Sequence, residues 1–247
     1  MNQIQRAVQH VAFSVIVLVL VTTAQVSATY AETYISGQFG VTLPSVLPTS
    51  FDNGLTNVDA TGRLGQILGG GTVSDQSLQN SILYGAKVGH YFKAIPWFGI
   101  EAEVYNTTPH IKQQLVTFSG TAGTFGPAEL PGLNFRVLTV APFNLMFRYH
   151  KTKLQPYVGV GPGIFFARAH DPSLTSDNSQ SSVGIGINAL VGLRYYFTRH
   201  VSLFGEGKFN YARFSFDQTP AGANFNLFGF DADYRIFHAS FGLSVHF

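Results

Sequence analysis

Strict alternation of apolar and polar side chains is the most informative pattern in this chain. Over residues 237–247, one set of alternating positions is large or apolar and the other is small or polar. The apolar set is Phe237, Ala239, Phe241, Leu243, Val245 and Phe247, and the other set is His238, Ser240, Gly242, Ser244 and His246. Because successive side chains of a β-strand point to opposite faces, this pattern predicts a strand with one apolar and one polar face.

The same alternation recurs along the chain and predicts seven more strands. They cover residues 32–43, 81–92, 97–106, 133–149, 157–167, 183–197 and 201–214. Two of these segments contain a proline, Pro142 and Pro162, which has no backbone N–H to donate to a neighbouring strand. We therefore expect a bulge or a break in register near these prolines, on neighbouring strands.

The connections between the predicted strands alternate between short and long. The short connections are residues 93–96, 150–154 and 198–200, and the long ones are 44–80, 107–132, 168–182 and 215–233. Outer-membrane barrels have short periplasmic turns and longer extracellular loops. Aromatic residues collect at the short-turn end, as an interfacial girdle would require: Phe92, Trp97, Phe147, Tyr149, Tyr157, Tyr195, Phe197 and Phe247. The pattern predicts an all-β fold, an eight-stranded antiparallel up-and-down transmembrane barrel.

Composition agrees with a surface that faces lipid and excludes several functions. Only 11% of the residues are charged and 14% are aromatic, with 23 Phe and 11 Tyr. Cysteine is absent, which excludes thiol chemistry and cysteine-based metal sites. The formal net charge is +2 with scattered basic residues, so nucleic acid is not an expected partner. The histidines are dispersed, and we expect neither a metal site nor a cofactor.

The N-terminal segment is typical of a secretory signal peptide. Arg6 precedes an apolar stretch at residues 11–21, which leads into small residues around Ala28 and Ala31. The apolar stretch is shorter than the roughly 20 residues of a membrane-spanning helix. We expect cleavage after Ala31 or Ala28, which leaves residues 32–247 as the barrel domain.

Three segments carry a resemblance to a known family. They are PYVGVGPGIFF at residues 156–166, GLRYYF at 192–197 and SFGLSVHF at 240–247. With them the chain resembles the OmpA-like and opacity-type outer-membrane β-barrel superfamily. The resemblance implies the outer membrane of a Gram-negative bacterium, with its lipids and lipopolysaccharide as partners. The sequence ends at the last predicted strand, so the peptidoglycan-binding domain of OmpA is not implied.

The C-terminal strand also looks like the signal by which the outer-membrane assembly machinery recognises its substrates. The resemblance rests on its alternating apolar residues and on the terminal aromatic. The residues that would form this signal are Phe237, Phe241, Leu243, Val245 and Phe247.

Charged residues on the predicted polar faces are the first candidates for a site. They are Lys87, Glu101, Glu103, Arg136, Arg148, Arg194, Glu206 and Lys208. The interior of an eight-stranded barrel is only just wide enough for its side chains, so we expect ion pairs that plug it. An ion or proton path through these groups is the alternative. Glycines on the same faces, such as Gly159, Gly161, Gly163, Gly184 and Gly186, would leave space for bulky neighbours such as the arginines.

A catalytic site is not expected. His238 and Ser240 lie one strand step apart, which invites comparison with barrel enzymes that deacylate lipid A. Both are predicted to face the interior, however, whereas a lipid substrate arrives from the membrane side.

The four long loops are the expected location of a surface function. Residues 69–74 and 223–234 are rich in Gly, Asn and aromatic residues, and Phe225, Phe228 and Phe230 are candidates for exposed aromatics. Arg168 is a candidate contact for lipopolysaccharide phosphate at the outer rim. We expect a structural or surface-interaction protein with an unknown extracellular ligand. The alternatives are a narrow OmpW-like pore for small molecules and, less favoured, a lipid A-modifying enzyme.

Overall fold

The structure is a computed structural model that describes residues 32–43, 45–51, 71–120, 123–130, 132, 134–170, 179–216 and 230–247. The predicted signal peptide, together with Phe225 and Phe228, lies outside this part. The described residues form twelve strands: β1 Glu32–Thr42, β2 Val46–Phe51, β3 Gly71–Ser77, β4 Ser81–Phe92, β5 Ile95–Thr107, β6 Gln114–Gly120, β7 Gly123–Leu130, β8 Asn134–Arg148, β9 Leu154–His170, β10 Gln180–Tyr196, β11 Val201–Phe216 and β12 Phe230–His246. None of the described residues forms a helix long and apolar enough to cross a membrane.

Eight of the strands close into a barrel, which confirms the predicted fold. They pair in the order β1, β4, β5, β8, β9, β10, β11 and β12, and all of these pairings are antiparallel. β12 then pairs with β1, with Phe39 opposite Phe241 and Val41 opposite Ala239. Closure matters because a wall without an open edge satisfies the backbone hydrogen bonds of every strand where water is missing.

Side chains on the outer wall are apolar over most of its height. Ile185 is 79% exposed, and Phe241, Val191 and Leu243 are each more than half exposed. Towards the long-loop end the pattern inverts: on β11, Arg213 and Ser215 point outward while Phe214 and Phe216 are buried. The exposed apolar side chains of the outer wall form a band that we call the apolar belt. The inversion marks where this belt ends. It explains why β9 to β12 extend further towards the long loops than lipid-facing alternation alone predicts.

Residues of the first two long connections form a four-stranded extension of the barrel wall, where the sequence predicted loops. Thr42 pairs with Ser81 and Val46 with Ser77, so the β2–β3 hairpin continues the register of β1 and β4. The β6–β7 hairpin continues β5 and β8 in the same way, and β3 pairs with β6. These strands carry mixed Thr, Ser and Gly residues without an apolar stripe, so they form by continuing an existing ladder.

A bulge in β8 corrects one of the predicted interior positions. Val140 pairs with Ile164 and Leu145 with Val160, so β8 has one more residue than β9 in between. This confirms the register break expected near Pro142 and Pro162. The extra residue reverses the alternation along β8, so Phe135 and Val137 point inward and Arg136 points outward. The assignment of Arg136 to the interior was wrong for this reason.

The aromatic girdle at the short-turn end also needs one correction. Six of its predicted members are exposed on the outer wall: Trp97, Phe147, Tyr149, Tyr195, Phe197 and Phe247. Trp97 stacks on Phe147 with ring centroids 6.0 Å apart. Tyr157, in contrast, is only 3% exposed and points into the barrel, because it alternates with the outward-facing Val158.

Candidate functional site: the barrel interior

Two layers of side chains fill the described interior. The layer nearer the short turns is charged and hydrogen-bonded, and we call it the polar layer; its ionic residues are Lys87, Glu101, Glu103, Arg194, Glu206 and Lys208. The layer nearer the long loops is the apolar layer: Leu47, Leu78, Ile111, Phe135, Val137, Phe165, Ala167, Ala169, Ala212, Phe214, Phe216, Ala232, Tyr234 and Ile236. The two layers divide the interior by chemistry along the barrel axis.

Lys87 is the centre of the ion network. Its Nζ lies 2.6 Å from both carboxylate oxygens of Glu206 and 3.1 Å from Oε1 of Glu101. Glu103 is further away, with its Oε2 3.6 Å from the same nitrogen. These side chains are completely buried. A buried charge is tolerated only when it is paired and hydrogen-bonded, and here one ammonium group holds carboxylates from two strands.

Glu103 accepts most of the other hydrogen bonds in this network. Lys208 donates to its Oε2, and Asn188 donates to its Oε1 over 2.6 Å. Asn144 and Gln38 also donate to this carboxylate, at 3.2 and 3.3 Å. Lys208 further reaches Glu206 at 3.3 Å. The Glu103 carboxylate therefore accepts hydrogen bonds from side chains on β1, β8, β10 and β11, and it links these four strands.

Arg194 occupies an aromatic cradle between the charged residues and the short turns. Its guanidinium carbon lies 4.2 Å from the centroid of the Tyr34 ring and 5.3 Å from that of Tyr157. The two tyrosine hydroxyls donate to Glu101 and Glu206, each over 2.6 Å. None of the guanidinium nitrogens has a hydrogen-bond partner among the described residues. Cation–π contact with the tyrosine rings holds this third cation in the polar layer, which contains three cations and three carboxylates.

Glycines make the cradle possible. A Cβ on Gly89 would lie 2.3 Å from the Tyr34 ring, and one on Gly192 would lie 2.5 Å from the Tyr157 ring. The glycines singled out from the sequence have a related role with different neighbours. Gly159 gives room to Met146 and Gly163 to Phe165, whereas Gly161, Gly184 and Gly186 lie closest to backbone carbonyls of the adjacent strands. Aromatic rings, the Met146 thioether and backbone atoms, rather than arginines, occupy the space beside these glycines.

A second ionic cluster lies at the short-turn end. Arg148 pairs with Glu32 at 2.5 Å and stacks on the ring of Tyr91 at 3.7 Å. Glu32 also meets Nδ1 of His246 at 2.8 Å and accepts a hydrogen bond from Tyr196. This cluster joins the first strand to the last, and it closes the polar layer from below.

A model of the outer membrane protein beta-barrel domain family matches residues 13–244. The chain belongs to this family. It is an outer-membrane β-barrel, and it lies in the outer membrane of a Gram-negative bacterium. No curated protein matches the sequence.

Several solved structures are similar to this chain. OprG from Pseudomonas aeruginosa is 14% identical, with a TM-score of 0.53, over 88% of this chain and 96% of OprG. Neisserial surface protein A is 13% identical, with a TM-score of 0.48, over 89% of this chain and all of that protein. A major outer membrane protein from Thermus thermophilus is 14% identical, with a TM-score of 0.47, over 89% of this chain and all of that one. At these identities, the likeness to OprG shows the fold alone.

The outer-membrane β-barrel brings most of the predicted interior charges together. Lys87, Glu101, Glu103, Arg194, Glu206 and Lys208 share the polar layer, Arg148 joins Glu32 at the short-turn end, and Arg136 lies outside. Sequence reasoning missed the structural roles of Glu32 and Asn188. For Asn188 the alternation along β10 contained the signal. It places Asn188 on the same inward face as Gly184, Gly192 and Arg194.

His238 and Ser240 do not form a nucleophile–base pair in this barrel. The two ring nitrogens of His238 bond to Thr42 at 2.9 Å and to Asn210 at 2.8 Å. Ser240 Oγ has no hydrogen-bond partner among the described residues. A serine nucleophile needs a base within hydrogen-bond reach, and Ser240 has none here. The hydrogen bonds of His238 instead link β12 to β1 and β11.

Proposed function

We propose that this outer-membrane β-barrel works with a plugged interior, as a structural or surface-interaction protein whose long-loop end faces the outside of the cell. The two filled layers of the interior are the observation that carries the proposal. The apolar layer presents mainly aromatic and aliphatic side chains to the interior, and a hydrophobic constriction of this kind opposes the passage of water and ions.

Aromatic packing in the apolar layer supports the plug. Tyr234 lies 5.6 Å from Phe214, 6.1 Å from Phe165 and 6.4 Å from Phe135, measured between ring centroids. Phe135 and Phe214 are themselves 6.2 Å apart. These are ordinary distances for rings in contact, so the rings meet across the interior. Beneath them the charged groups are held in ion pairs, which a passing solute would have to break.

The extension formed by β2, β3, β6 and β7 supports a role at the surface. It lies beyond the apolar belt and carries exposed polar side chains, among them Thr72, Ser74, Asp75 and Glu129. Leu115 on the same extension is 68% exposed. A rigid, paired sheet holds such groups in fixed positions, which is what recognition of a partner requires.

Solute uptake separates the plugged barrel from a narrow OmpW-like pore. Proteoliposomes that contain the folded protein are placed in isosmotic arabinose, and in a second arm they receive a small apolar fluorophore that is quenched inside. The plugged barrel predicts swelling and quenching rates equal to those of protein-free liposomes. Swelling in arabinose would show an aqueous pore, and faster quenching alone would show an apolar path; either result contradicts the proposal.

We further propose that the last strand acts as the signal for the outer-membrane assembly machinery. Its apolar residues Phe237, Phe241, Leu243, Val245 and Phe247 all point outward, and each is about half exposed or more. A single accessible apolar row on one strand is a surface that an assembly factor can bind before the barrel closes.

A further inference from the structure

The short turns of the barrel are basic. They comprise residues 93–94, 149–153 and 197–200, and none of these residues is an aspartate or a glutamate. The cationic residues of the turns are Lys93, Lys151, Lys153 and Arg199. A face that has cations and no carboxylates of its own attracts an anionic partner.

Lys151, Lys153 and Arg199 lie on two neighbouring turns, and we call them the basic patch. All three residues are exposed. The backbone N–H of Tyr196 donates to the carbonyl of Lys153 over 2.9 Å, so the β10–β11 turn begins beside the β8–β9 turn. The two turns are about 10 Å apart, which is two strand spacings. Long basic side chains from both turns can therefore reach one ligand between them.

Acidic side chains do not neutralise the basic patch. Within the part of the chain that the structure describes, none of its three residues takes part in an ion pair. Glu32, at the same end of the barrel, is already held by Arg148 at 2.5 Å and by His246 at 2.8 Å. Arginines at the long-loop rim differ, because Arg213 pairs with Asp231 at 2.9 Å. The basic patch thus keeps its positive charge for a partner outside the chain.

Exposed aromatic and apolar residues place the basic patch at the membrane surface. Tyr149 precedes Lys151 by two residues, Phe197 precedes Arg199 by two, and both rings are more than half exposed. Aromatic residues of this kind mark the boundary between the hydrocarbon of a bilayer and its headgroups. Leu154, which is 50% exposed, continues the apolar belt directly beside the turn. The cations of the patch therefore lie at the level of the lipid headgroups.

We infer that the basic patch binds the phosphate headgroup of an anionic phospholipid in the periplasmic leaflet, in preference to a zwitterionic lipid. The inference rests on the proposed orientation, in which the long-loop end faces outward and the short turns face the periplasm. An anionic membrane surface attracts each nearby Lys or Arg, and here three of them act together. Arg199 can bind phosphate oxygens through paired hydrogen bonds, and each lysine adds a point charge.

The length of the turns favours a lipid over a soluble partner. Residues 149–153 alone join β8 to β9, and residues 197–200 alone join β10 to β11. Turns this short keep the cations within the headgroup layer, where lipid phosphate is the most concentrated anion. The acyl chains of the same lipid would lie against Leu154 and its cross-strand partner Tyr195, both exposed on the outer wall.

Native mass spectrometry of the folded, full-length mature barrel tests the site. Wild type and the triple variant Lys151→Gln/Lys153→Gln/Arg199→Gln are titrated in detergent with phosphatidylglycerol and with phosphatidylcholine of the same acyl chains. We expect wild type to bind phosphatidylglycerol about tenfold more tightly than phosphatidylcholine, and the triple variant to lose most of this preference. An equal preference in both proteins would overturn the inference. The titration depends neither on orientation in the membrane nor on the plugged interior, so this inference and the proposed function can fail separately.

A second triple variant controls for net charge. Lys112→Gln/Arg213→Gln/Arg235→Gln removes three exposed cations from the long-loop end, where both arginines have acidic partners. It should change the preference for phosphatidylglycerol by less than about twofold. A loss as large as that of the first triple variant would show a response to net charge alone and contradict the site.

Two further measurements identify the interaction. Lys151→Arg/Lys153→Arg/Arg199→Lys keeps all three charges and should keep the preference; its loss would contradict a site that acts through charge. Glycerol 3-phosphate carries the headgroup phosphate without acyl chains, and phosphatidylglycerol should stay bound in its presence. Displacement would identify a soluble phosphate ester as the ligand and contradict the lipid assignment. Heat-modifiable migration on gels confirms that each variant is folded. In vesicles of phosphatidylcholine alone the patch has no anionic partner, so substitutions in it should not alter unfolding there.

Discussion

Lys87 Nζ lies 2.6 Å from both carboxylate oxygens of Glu206, although 119 residues separate them in the sequence. In the wall, β4 and β11 are separated by β1 and β12. The contact therefore crosses the interior instead of running along the sheet. Part of the stability of the barrel therefore comes from ion pairs in its interior, which do not contact lipid.

Replacement of Lys87 by Met should strongly destabilise the barrel. The substitution keeps the approximate volume but leaves Glu101 and Glu206 buried with fewer cations, which costs about 3–5 kcal/mol. Urea unfolding in lipid vesicles measures this loss, with the fluorescence of Trp97, the single tryptophan, as the signal. The double variant Lys87→Met/Glu206→Gln removes a carboxylate as well and should recover part of the stability.

Lys151→Met is the matched control. Lys151 lies exposed in the turn between β8 and β9, so the same change of side chain should alter the free energy of unfolding by less than about 0.5 kcal/mol. If both lysine variants unfolded at the same urea concentration as wild type, the buried network would not contribute to stability.

Two glycines on β1 and β4 provide a second test of the interior. Gly89→Ala adds a methyl group 2.3 Å from the Tyr34 ring, which is itself packed against Arg194, and this overpacking should cost about 1–3 kcal/mol. A methyl group on Gly37, on the outer wall, meets nothing within 4 Å. Gly37→Ala should therefore be neutral or slightly stabilising. A cost at Gly37 as large as that at Gly89 would show that the cost at Gly89 does not come from close packing in the interior.

The orientation of Arg136 can be checked by cysteine labelling, because the chain has no cysteine of its own. Arg136→Cys should react with a membrane-impermeant maleimide on intact cells, since the residue is exposed near the long-loop end. Its neighbour Val137 is completely buried, so Val137→Cys should react only after unfolding. The opposite order of reactivity would contradict the bulge and restore an unbroken alternation along β8.

The barrel strands could be predicted from sequence because lipid and interior impose opposite chemistry on alternate positions. Glu101, Glu103, Glu206 and Lys208 follow from that alternation alone. Arg136 could not be placed, because one extra residue at the bulge reverses the phase of half a strand. The prolines showed where the break lies, and only the pairing with β9 showed which half was affected.

Other features were out of reach for a different reason. β3 and β6 lie beyond the apolar belt and carry no apolar stripe, so no period-two signal marks them. The cradle of Arg194 depends on which glycine faces which tyrosine across two strand pairs, and that is a property of register. Tyr157 was misplaced because an aromatic near the short turns fits a girdle and an interior position equally well by sequence.

Deletion of Phe247 should impair assembly of the barrel into the outer membrane. The residue is 70% exposed at the end of the proposed assembly signal, so its loss removes a contact made before folding. The fraction of heat-modifiable protein in outer-membrane preparations measures assembly. Phe197→Ala, which removes another exposed aromatic at the same end of the barrel, should assemble normally. Normal assembly of the deletion variant would contradict the terminal-signal proposal.

Current through single proteins in a planar lipid bilayer tests the plugged interior most directly. Purified, folded protein is added to the bilayer, and insertion is verified independently by protease protection of the reconstituted barrel. The account predicts a bilayer that stays electrically silent, because the aromatic rings of the apolar layer and the ion pairs beneath them leave no continuous aqueous path. Steady, stepwise open-channel currents from wild-type protein would contradict it.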